Sequence, residues 1–314
     1  MIEIAGLTVQ FGENFALDDF NFIAPEGKTT VIIGESGSGK SVMLSAILRI
    51  LPKEARISGS VMLHGKELLT MREKDFNKIR GTDIAYVPQG SGHSLNPLLK
   101  TGFQIAEPIM MHKKLKKLPA IERAIELMRS LNIGDEERVA DSYPHTLSGG
   151  MKQRSLIAMG IASDAPIILA DEPTKGLDYK RVAIVEELFT RMKGHTILCV
   201  SHDLRFATKV ADRIVVIYSA QQVEEADAAD FFSEPLHQYS KALLKALPEN
   251  GMNITEGYAS ENEKNSDAGC RFFNRCPVRM EQCINPPPIA YIGSGKVRCH
   301  RYADESGKHH ARVH

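Results

Sequence analysis

The sequence lacks net charge, because 39 Lys and Arg residues balance 39 Asp and Glu residues over 314 positions. A chain without excess positive charge has no general attraction for nucleic acid, so a nucleic-acid role would need a local basic patch. With 43% hydrophobic and 25% charged residues, the composition is that of a globular protein, which argues against disorder. The length suits one large domain or two.

Long apolar runs are also missing, and none approaches the roughly 18 residues that span a bilayer. The N-terminus, Met1-Ile-Glu-Ile-Ala-Gly6, carries an early acid and lacks the basic and then apolar profile of a signal peptide. We therefore expect a cytosolic chain with no membrane segment of its own.

Cysteine is scarce, yet four of the 5 cysteines lie close together near the C-terminus: Cys270, Cys276, Cys283 and Cys299. Disulfides are rare in a reducing cytosol, so this group first indicates a metal site. The spacing lacks the close CxxC pairs of a zinc ribbon and is compatible with a four-thiolate iron–sulphur cluster. Structural Zn²⁺ and free thiols without a ligand remain alternatives.

Hydrophobic patterning predicts an α/β fold. Residues 1–90 read as strands with one early helix, and apolar residues at helical spacing predict a helical insertion over about 91–160. Strand-like runs return at 167–170, 196–200 and 214–218, separated by helical stretches such as 181–193. Strands that alternate with helices imply a mainly parallel sheet with helices on both faces. Past about residue 235 the composition becomes more polar.

One glycine-rich run fits the P-loop pattern in full, directly after a strand and before a helix: Gly34, Glu35, Ser36, Gly37, Ser38, Gly39, Lys40 and Ser41. Glycines let backbone N–H groups curl around phosphate oxygens, and the helix N-terminus adds a favourable dipole. Lys40 is positioned to reach the β- and γ-phosphates, and Ser41 to ligate Mg²⁺. The run therefore predicts a nucleotide site.

A second chemical element follows the apolar run 166–170, which ends in Asp171 and Glu172. Acids at the carboxyl end of a parallel strand lie at the edge where such sheets bind ligands. We expect Asp171 to hold the Mg²⁺ sphere and Glu172 to act as general base toward water.

The segment before the helical stretch at about residue 150 identifies a family, because it contains Leu147, Ser148, Gly149, Gly150 and Gln153. Placed between the P-loop and the acidic strand end, it resembles the signature motif of ABC-type ATPases. Further markers follow in family order: Phe11 as the adenine-stacking aromatic, Gln89 as the Q-loop, Asp178 as the D-loop and His202 as the switch histidine.

The resemblance implies a P-loop cassette with a RecA-like core, an antiparallel β subdomain and a helical insertion. It implies a dimer in which ATP lies between one subunit's P-loop and the other's signature loop, so Ser148 would serve the partner's nucleotide. By the same resemblance, His202 contacts the γ-phosphate, and Gln89 links Mg²⁺ to the insertion that touches the membrane partner. Because Glu172 and the signature are intact, we expect an active ATPase.

A closer resemblance is to the ATPase subunits of oligopeptide, dipeptide and nickel importers. It rests on Ser94-Leu-Asn-Pro97, Gln104-Ile-Ala-Glu-Pro108, Tyr143-Pro-His145 and Pro235-Leu-His-Gln-Tyr239. It implies a cassette over 1–235 and a cysteine-bearing extension over 236–314, where some members hold a [4Fe–4S] cluster. The chain departs from the family at 90–93, at Thr146 and at Lys175-Gly176.

These observations predict the ATP-hydrolysing subunit of an importer of peptides or nickel, at the cytoplasmic face of the cell membrane. The resemblance implies two permease subunits, a second related ATPase in a heterodimer or homodimer, and an external binding protein. Two alternatives are a soluble ABC ATPase acting on ribosomes or DNA, and an iron–sulphur redox or metal sensor regulated by ATP. The single cassette, the zero net charge and the absence of a long coiled-coil insertion argue against the first.

Overall fold

The computed structural model describes residues 1–90, 94–192, 194–251 and 269–303. The strands, in chain order, are β1 (Ile2–Phe11), β2 (Asn14–Ala24), β3 (Thr29–Ile33), β4 (Ala55–Leu63), β5 (Lys66–Glu67), β6 (Ile84–Val87), β7 (Ile167–Asp171), β8 (Thr196–Val200), β9 (Arg213–Tyr218), β10 (Gln221–Asp227), β11 (Ile289–Ile292) and β12 (Gly295–Arg298). The α-helices are α1 (Lys40–Ile47), α2 (Glu73–Ile79), α3 (Thr101–Lys113), α4 (Lys117–Ser130), α5 (Glu136–Ala140), α6 (Gly149–Ile161), α7 (Tyr179–Arg191), α8 (Leu204–Val210), α9 (Ala228–Ser233) and α10 (Gln238–Lys245).

The chain forms two compact units. The first contains Met1–Ala24, Thr30–Leu69 and the described residues from Ala211 onward. In it β1 pairs antiparallel with β2 and β4, whereas β3 pairs parallel with β9 and β9 antiparallel with β10. This unit therefore carries both the antiparallel strands that the resemblance implies and the strand that leads into the P-loop.

The second unit contains Pro25–Thr29 and Thr70–Val210. Its strands β6, β7 and β8 are parallel neighbours, and every residue of β7 and β8 is buried. Strands that are apolar throughout are typical of parallel sheets covered on both faces. The carboxyl ends of all three strands consequently lie at one edge, where Asp171 is found.

Helices α3 to α6 occupy most of the chain between 101 and 161, where the sequence predicts a helical insertion. Of the predicted insertion, residues 91–93 lie outside the described residues. Helix α4 shows the amphipathic pattern from which the insertion was inferred, with Ala120, Ala124 and Met128 buried on one face. No helix in the described ranges has both the length and the apolar character needed to cross a bilayer.

An aromatic cluster packs the C-terminal residues against β9 within the first unit. The Tyr218 ring centroid lies 4.6 Å from that of Tyr239 and 5.2 Å from that of Phe272, and all three side chains are fully buried. Burying an aromatic ring of this size stabilises the fold by about 1.5–3 kcal/mol. The cluster thereby fixes residues beyond 269 against the end of β9.

Candidate functional site

The P-loop run follows β3 and leads into α1, as its sequence context predicts. Its glycines are required by close backbone contacts: a Cβ on Gly34 would lie 2.1 Å from the Ile217 carbonyl oxygen, and one on Gly39 would lie 2.0 Å from the Ala16 carbonyl oxygen. Both glycines also have positive φ, at 158° and 103°, which L-residues rarely adopt. Local packing thus dictates glycine at both positions.

Two polar side chains in the loop fit a phosphate ligand. Lys40 is buried, and its Nζ donates hydrogen bonds to the carbonyl oxygens of Gly34 at 2.8 Å and Glu35 at 2.7 Å. The Ser38 hydroxyl is 3% exposed and has no hydrogen-bond partner among the described residues. A buried hydroxyl without a partner is costly, and a phosphate oxygen would relieve that cost. The residues present therefore suit the nucleotide that the sequence predicts.

The acidic strand end joins Glu172 to His202. Nδ1 of His202 lies 2.6 Å from Oε2 of Glu172, and the Glu172 backbone N–H donates to the Val200 carbonyl at 2.9 Å. The Glu172 side chain is 9% exposed, whereas that of His202 is 60% exposed. Glu172 also has φ of 50°, a strained conformation of the kind that clusters at functional sites. The His202 ring thereby holds one oxygen of this buried carboxylate in place.

Negative charge accumulates at the same sheet edge. Burial and the Asp171 carboxylate together raise the pKa of Tyr86 to about 12. Burial, followed by Glu172 and Asp171, raises the pKa of Cys199 well above its usual value, which leaves that cysteine an inert thiol as its apolar surroundings predict. Gln89 lies two residues beyond the end of β6 and is exposed. A cation at this edge would be electrostatically favoured.

The signature residues begin α6. The Ser148 hydroxyl accepts a hydrogen bond from the Met151 backbone N–H at 3.3 Å, while Gly149 and Gly150 form the first turn. Gln153 is buried one turn later, and its Nε2 donates to the Pro173 carbonyl at 3.2 Å. The signature helix is therefore tied to the residue that directly follows Glu172, a contact that sequence order alone did not indicate.

Asp178 is the N-cap of α7, and its carboxylate accepts the Arg181 backbone N–H at 3.0 Å. The same carboxylate pairs with the Arg181 guanidinium. Burial, followed by the Arg181 charge, lowers the pKa of Arg154 on α6. Within one subunit, these contacts give Asp178 the role of a helix cap. Lys175, three residues earlier, is exposed, and its backbone N–H donates to the Glu172 carbonyl.

Two further predicted nucleotide residues lie in the first unit. Phe11 is half-buried at the end of β1, opposite Asn14 in the β1–β2 register. Ser41 is half-buried in the first turn of α1. Their positions agree with the order of the motifs, and their roles toward adenine and Mg²⁺ remain predictions.

Two of the importer-type motifs contact each other in the second unit. Gln104 is buried, and its Oε1 accepts the Asn96 N–H at 2.8 Å while its Nε2 donates to the Asn96 carbonyl at 3.0 Å. Gln104 thereby fixes the loop of the Ser94–Pro97 motif. Leu98, directly after that motif, is 82% exposed.

The four C-terminal cysteines line one small cavity of about 20 Å³, together with Phe272, Phe273 and His300. Cys283 is buried, and the other three are half-buried. Burial, with a smaller effect from the neighbouring thiols, raises the pKa of Cys270 to about 11. Within the described ranges, however, no group of three or more His, Cys, Asp or Glu side chains is arranged to hold a metal ion. The predicted metal site is thus not supported by the structure.

Comparison with known proteins gives two family matches. A model described as "ABC transporter" matches residues 17–175, and one described as "Oligopeptide/dipeptide transporter, C-terminal region" matches residues 223–283. The first match covers the P-loop, the signature and the acidic strand end. The second begins within β10 and covers three of the four clustered cysteines.

Curated relatives match nearly end to end. A putative peptide import ATP-binding protein of Brucella abortus is 38% identical over 95% of this chain and 94% of its own length. An oligopeptide transport ATP-binding protein of Bacillus subtilis is 38% identical over 93% of each chain. A dipeptide transport ATP-binding protein of Haemophilus influenzae is 37% identical over 98% of this chain and 97% of its own.

A solved structure agrees in fold. It is a dimeric ATP-binding cassette in a post-hydrolysis state with ADP and Pi bound, and it covers 73% of this chain and 99% of its own with a TM-score of 0.66 and 29% identity.

Proposed function

The chain belongs to the ABC transporter family as an ATP-binding cassette ATPase, and on this premise we propose that it powers the import of peptides through separate permease subunits. The observation that carries the proposal is the extent of the likeness, which continues beyond the cassette into the C-terminal region of oligopeptide and dipeptide transporters. The predicted cassette fold is confirmed. The soluble-ATPase and sensor alternatives receive no comparable support.

We assign the nucleotide roles as follows. The P-loop N–H groups and Lys40 bind the β- and γ-phosphates, and Phe11 stacks on the adenine. Ser41, Gln89 and Asp171 are the candidate Mg²⁺ ligands, because hydroxyl, amide and carboxylate oxygens suit that ion. When bound, Mg²⁺ neutralises phosphate charge.

Glu172 is the proposed general base. It accepts a proton from the water that attacks the γ-phosphorus, while the bond from that phosphorus to the bridging oxygen of ADP breaks. His202 holds the carboxylate through the 2.6 Å contact and is sufficiently exposed to face a γ-phosphate. Burial of Glu172 at a strand end keeps its carboxylate in a fixed orientation.

We further propose that the active form is a dimer whose signature residues, Leu147 to Gly150 with Gln153, serve the partner's nucleotide. We also assign Asp178, the N-cap of α7, to the surface that meets the partner subunit. The dimer docks on two permease subunits at the cytoplasmic face of the membrane and receives cargo from an external binding protein. Residues 1–235 form the cassette, and residues 236–314 form the extension typical of peptide importers.

Cargo is tested by the hydrolysis rate of the assembled transporter in lipid, with a binding protein loaded either with mixed peptides or with a nickel chelate. Peptide is expected to stimulate ATP hydrolysis and nickel is not, because the relatives that match the full chain are named for peptides. A complex carrying Glu172→Gln is the matched control and should show no stimulated hydrolysis. Stimulation by nickel alone would contradict a peptide importer.

The described residues contain no group of three or more side chains arranged to hold a metal ion. We nevertheless propose the four-thiolate iron–sulphur cluster that the sequence predicts, because Cys270, Cys276, Cys283 and Cys299 line one cavity. Anaerobically purified protein should contain iron and acid-labile sulphide, at about four of each per chain. Cys276→Ser should lose them, whereas Cys199→Ala, which alters a buried cysteine outside the group, should keep them. Zinc in place of iron would select the structural-zinc alternative, and protein with neither metal would overturn a metal site.

A further inference from the structure

An arginine of the cysteine segment, which we define as residues 269–303, reaches the P-loop. Nη1 of Arg275 lies 2.7 Å from Oε1 of Glu35, the second residue of the P-loop run. The Arg275 side chain is 10% exposed and that of Glu35 is 32% exposed. A pair that is this sheltered is screened less by water and salt than a surface pair.

Arg275 is held in place by aromatic rings as well as by Glu35. Its guanidinium carbon lies 5.7 Å from the Tyr218 ring centroid and 5.5 Å from the Phe272 ring centroid, within cation–π range. Tyr218 is the last residue of β9, and the carbonyl of the preceding residue is the one that packs against Gly34. Arg275 is therefore anchored on the same strand end that supports the start of the P-loop.

Glu35 organises the P-loop through its backbone. Its carbonyl accepts hydrogen bonds from the Lys40 ammonium at 2.7 Å and from the Ser38 N–H at 3.2 Å. Its side chain, by contrast, adds a negative charge to a loop that binds anionic phosphate. Pairing with Arg275 offsets that charge and fixes the residue whose carbonyl holds Lys40.

The cysteine segment sets the position of Arg275. The residue lies in the 3₁₀ turn Phe273–Arg275, directly before Cys276, whose N–H donates to the Phe273 carbonyl. Arg271, four residues earlier, pairs with Asp18 on β2 and donates to the Ser219 carbonyl. Both arginines join the segment to other parts of the first unit, and of the two Arg275 is the one that pairs with a P-loop side chain.

We propose that Arg275 is a positioning residue for nucleotide binding: it acts through Glu35 to hold and neutralise the P-loop, so that a folded cysteine segment raises the affinity for ATP. This inference rests on the proposed function, since it requires ATP to bind at Gly34–Ser41. It gives the C-terminal region of the chain a direct physical link to the nucleotide site.

The test is the Kd for Mg-ATP of the full chain, measured by equilibrium titration for single and paired variants. Arg275→Ala should raise the Kd about tenfold, a size typical of coupled neighbouring residues. In a Glu35→Gln background the same substitution should change the Kd by less than about twofold, because Arg275 acts through the Glu35 carboxylate. An equal effect in both backgrounds, or no effect in either, would overturn the proposal.

Controls separate positioning from loss of fold. Arg279→Ala removes a cation of the same segment that packs on Phe273, and it should leave the Kd unchanged. The KM for ATP should rise in Arg275→Ala while kcat at saturating ATP is retained, because Glu172 and His202 are untouched. If Arg275→Ala does not fold, Arg275→Gln is used instead, because it keeps more of the side-chain stem over the aromatic rings. It is expected to raise the Kd in the wild-type background and to change it little in the Glu35→Gln background.

The wild-type chain and Lys40→Ala distinguish the two levels of failure. If the wild-type chain does not bind ATP, or if Lys40→Ala binds it unchanged, the proposed nucleotide site is wrong. If the wild-type chain binds ATP and Lys40→Ala does not, while Arg275→Ala behaves as wild type, only the positioning role is overturned.

Discussion

Glu172→Gln is expected to lower the rate of ATP hydrolysis by about 10²- to 10⁴-fold, the contribution typical of a general base. The amide has nearly the same shape as the carboxylate but cannot accept the proton of the attacking water. ATP binding should be retained, because the P-loop and Lys40 are unchanged, and the variant should accumulate as an ATP-bound closed dimer. Steady-state phosphate release and size-exclusion chromatography with ATP measure the two effects.

Glu187→Gln is the matched control for this substitution. Glu187 lies on the exposed face of α7 and pairs with Arg191 at the surface, where such pairs contribute at most about 1 kcal/mol. Its hydrolysis rate should match that of the wild-type chain. Undiminished turnover in Glu172→Gln would show that another group activates the water.

Lys40→Ala is expected to weaken ATP binding by about 10²-fold. The ammonium lies at the P-loop, bonded to the Gly34 and Glu35 carbonyls, which hold it where it would contact phosphate oxygens. Hydrogen bonds to charged groups contribute about 1.5–3 kcal/mol each, and about 1.4 kcal/mol corresponds to a tenfold change in Kd. Equilibrium titration with Mg-ATP measures the change.

The control is Lys53→Ala, which removes an exposed lysine from the loop after α1. Its Kd should equal that of the wild-type chain, and thermal unfolding should show that both variants are folded. Because Lys40 is buried, some loss of stability is expected in Lys40→Ala. Its Kd is therefore measured at a temperature below its own unfolding midpoint and compared with the wild-type Kd at that temperature. An unchanged Kd in folded Lys40→Ala would contradict a phosphate site at this loop.

The nucleotide loop could be predicted from the sequence because its determinants are contiguous. Gly34 to Ser41 lie between β3 and α1, and the same short stretch contains the glycines, the lysine and the helix start. For Glu172 and His202, the sequence could predict only that the two residues lie near each other. Both follow neighbouring buried parallel strands, whose carboxyl ends share one edge of the sheet.

Contacts between distant residues could not be predicted in this way. Arg275 and Glu35 are 240 positions apart, and nothing in the composition around either residue indicates the other. The bond from Gln153 to the Pro173 carbonyl likewise depends on how α6 lies relative to the residues that follow β7. Only the folded chain brings these groups together, and with them the link from the cysteine segment to the P-loop.

Two kinds of element were missed for local reasons. Helix α2 lies in the stretch that was predicted to contain one early helix, and its single buried residue, Phe76, produces no apolar periodicity. The hairpin of β11 and β12 was not predicted in the polar C-terminal stretch, although Gly293-Ser294 between two short runs is a recognised two-residue turn signal. The cysteine spacing, finally, was compatible with several ligand states and could not decide among them.

The measurement that tests the central claim most directly is the accumulation of labelled peptide inside sealed vesicles that contain the assembled transporter. The binding protein and the peptide are supplied outside these vesicles, and ATP is enclosed inside them. The account predicts accumulation that requires hydrolysable ATP and is lost with Glu172→Gln. Peptide accumulation that proceeds equally well without ATP, or hydrolysis stimulated by peptide without any accumulation, would contradict an ATP-driven peptide importer.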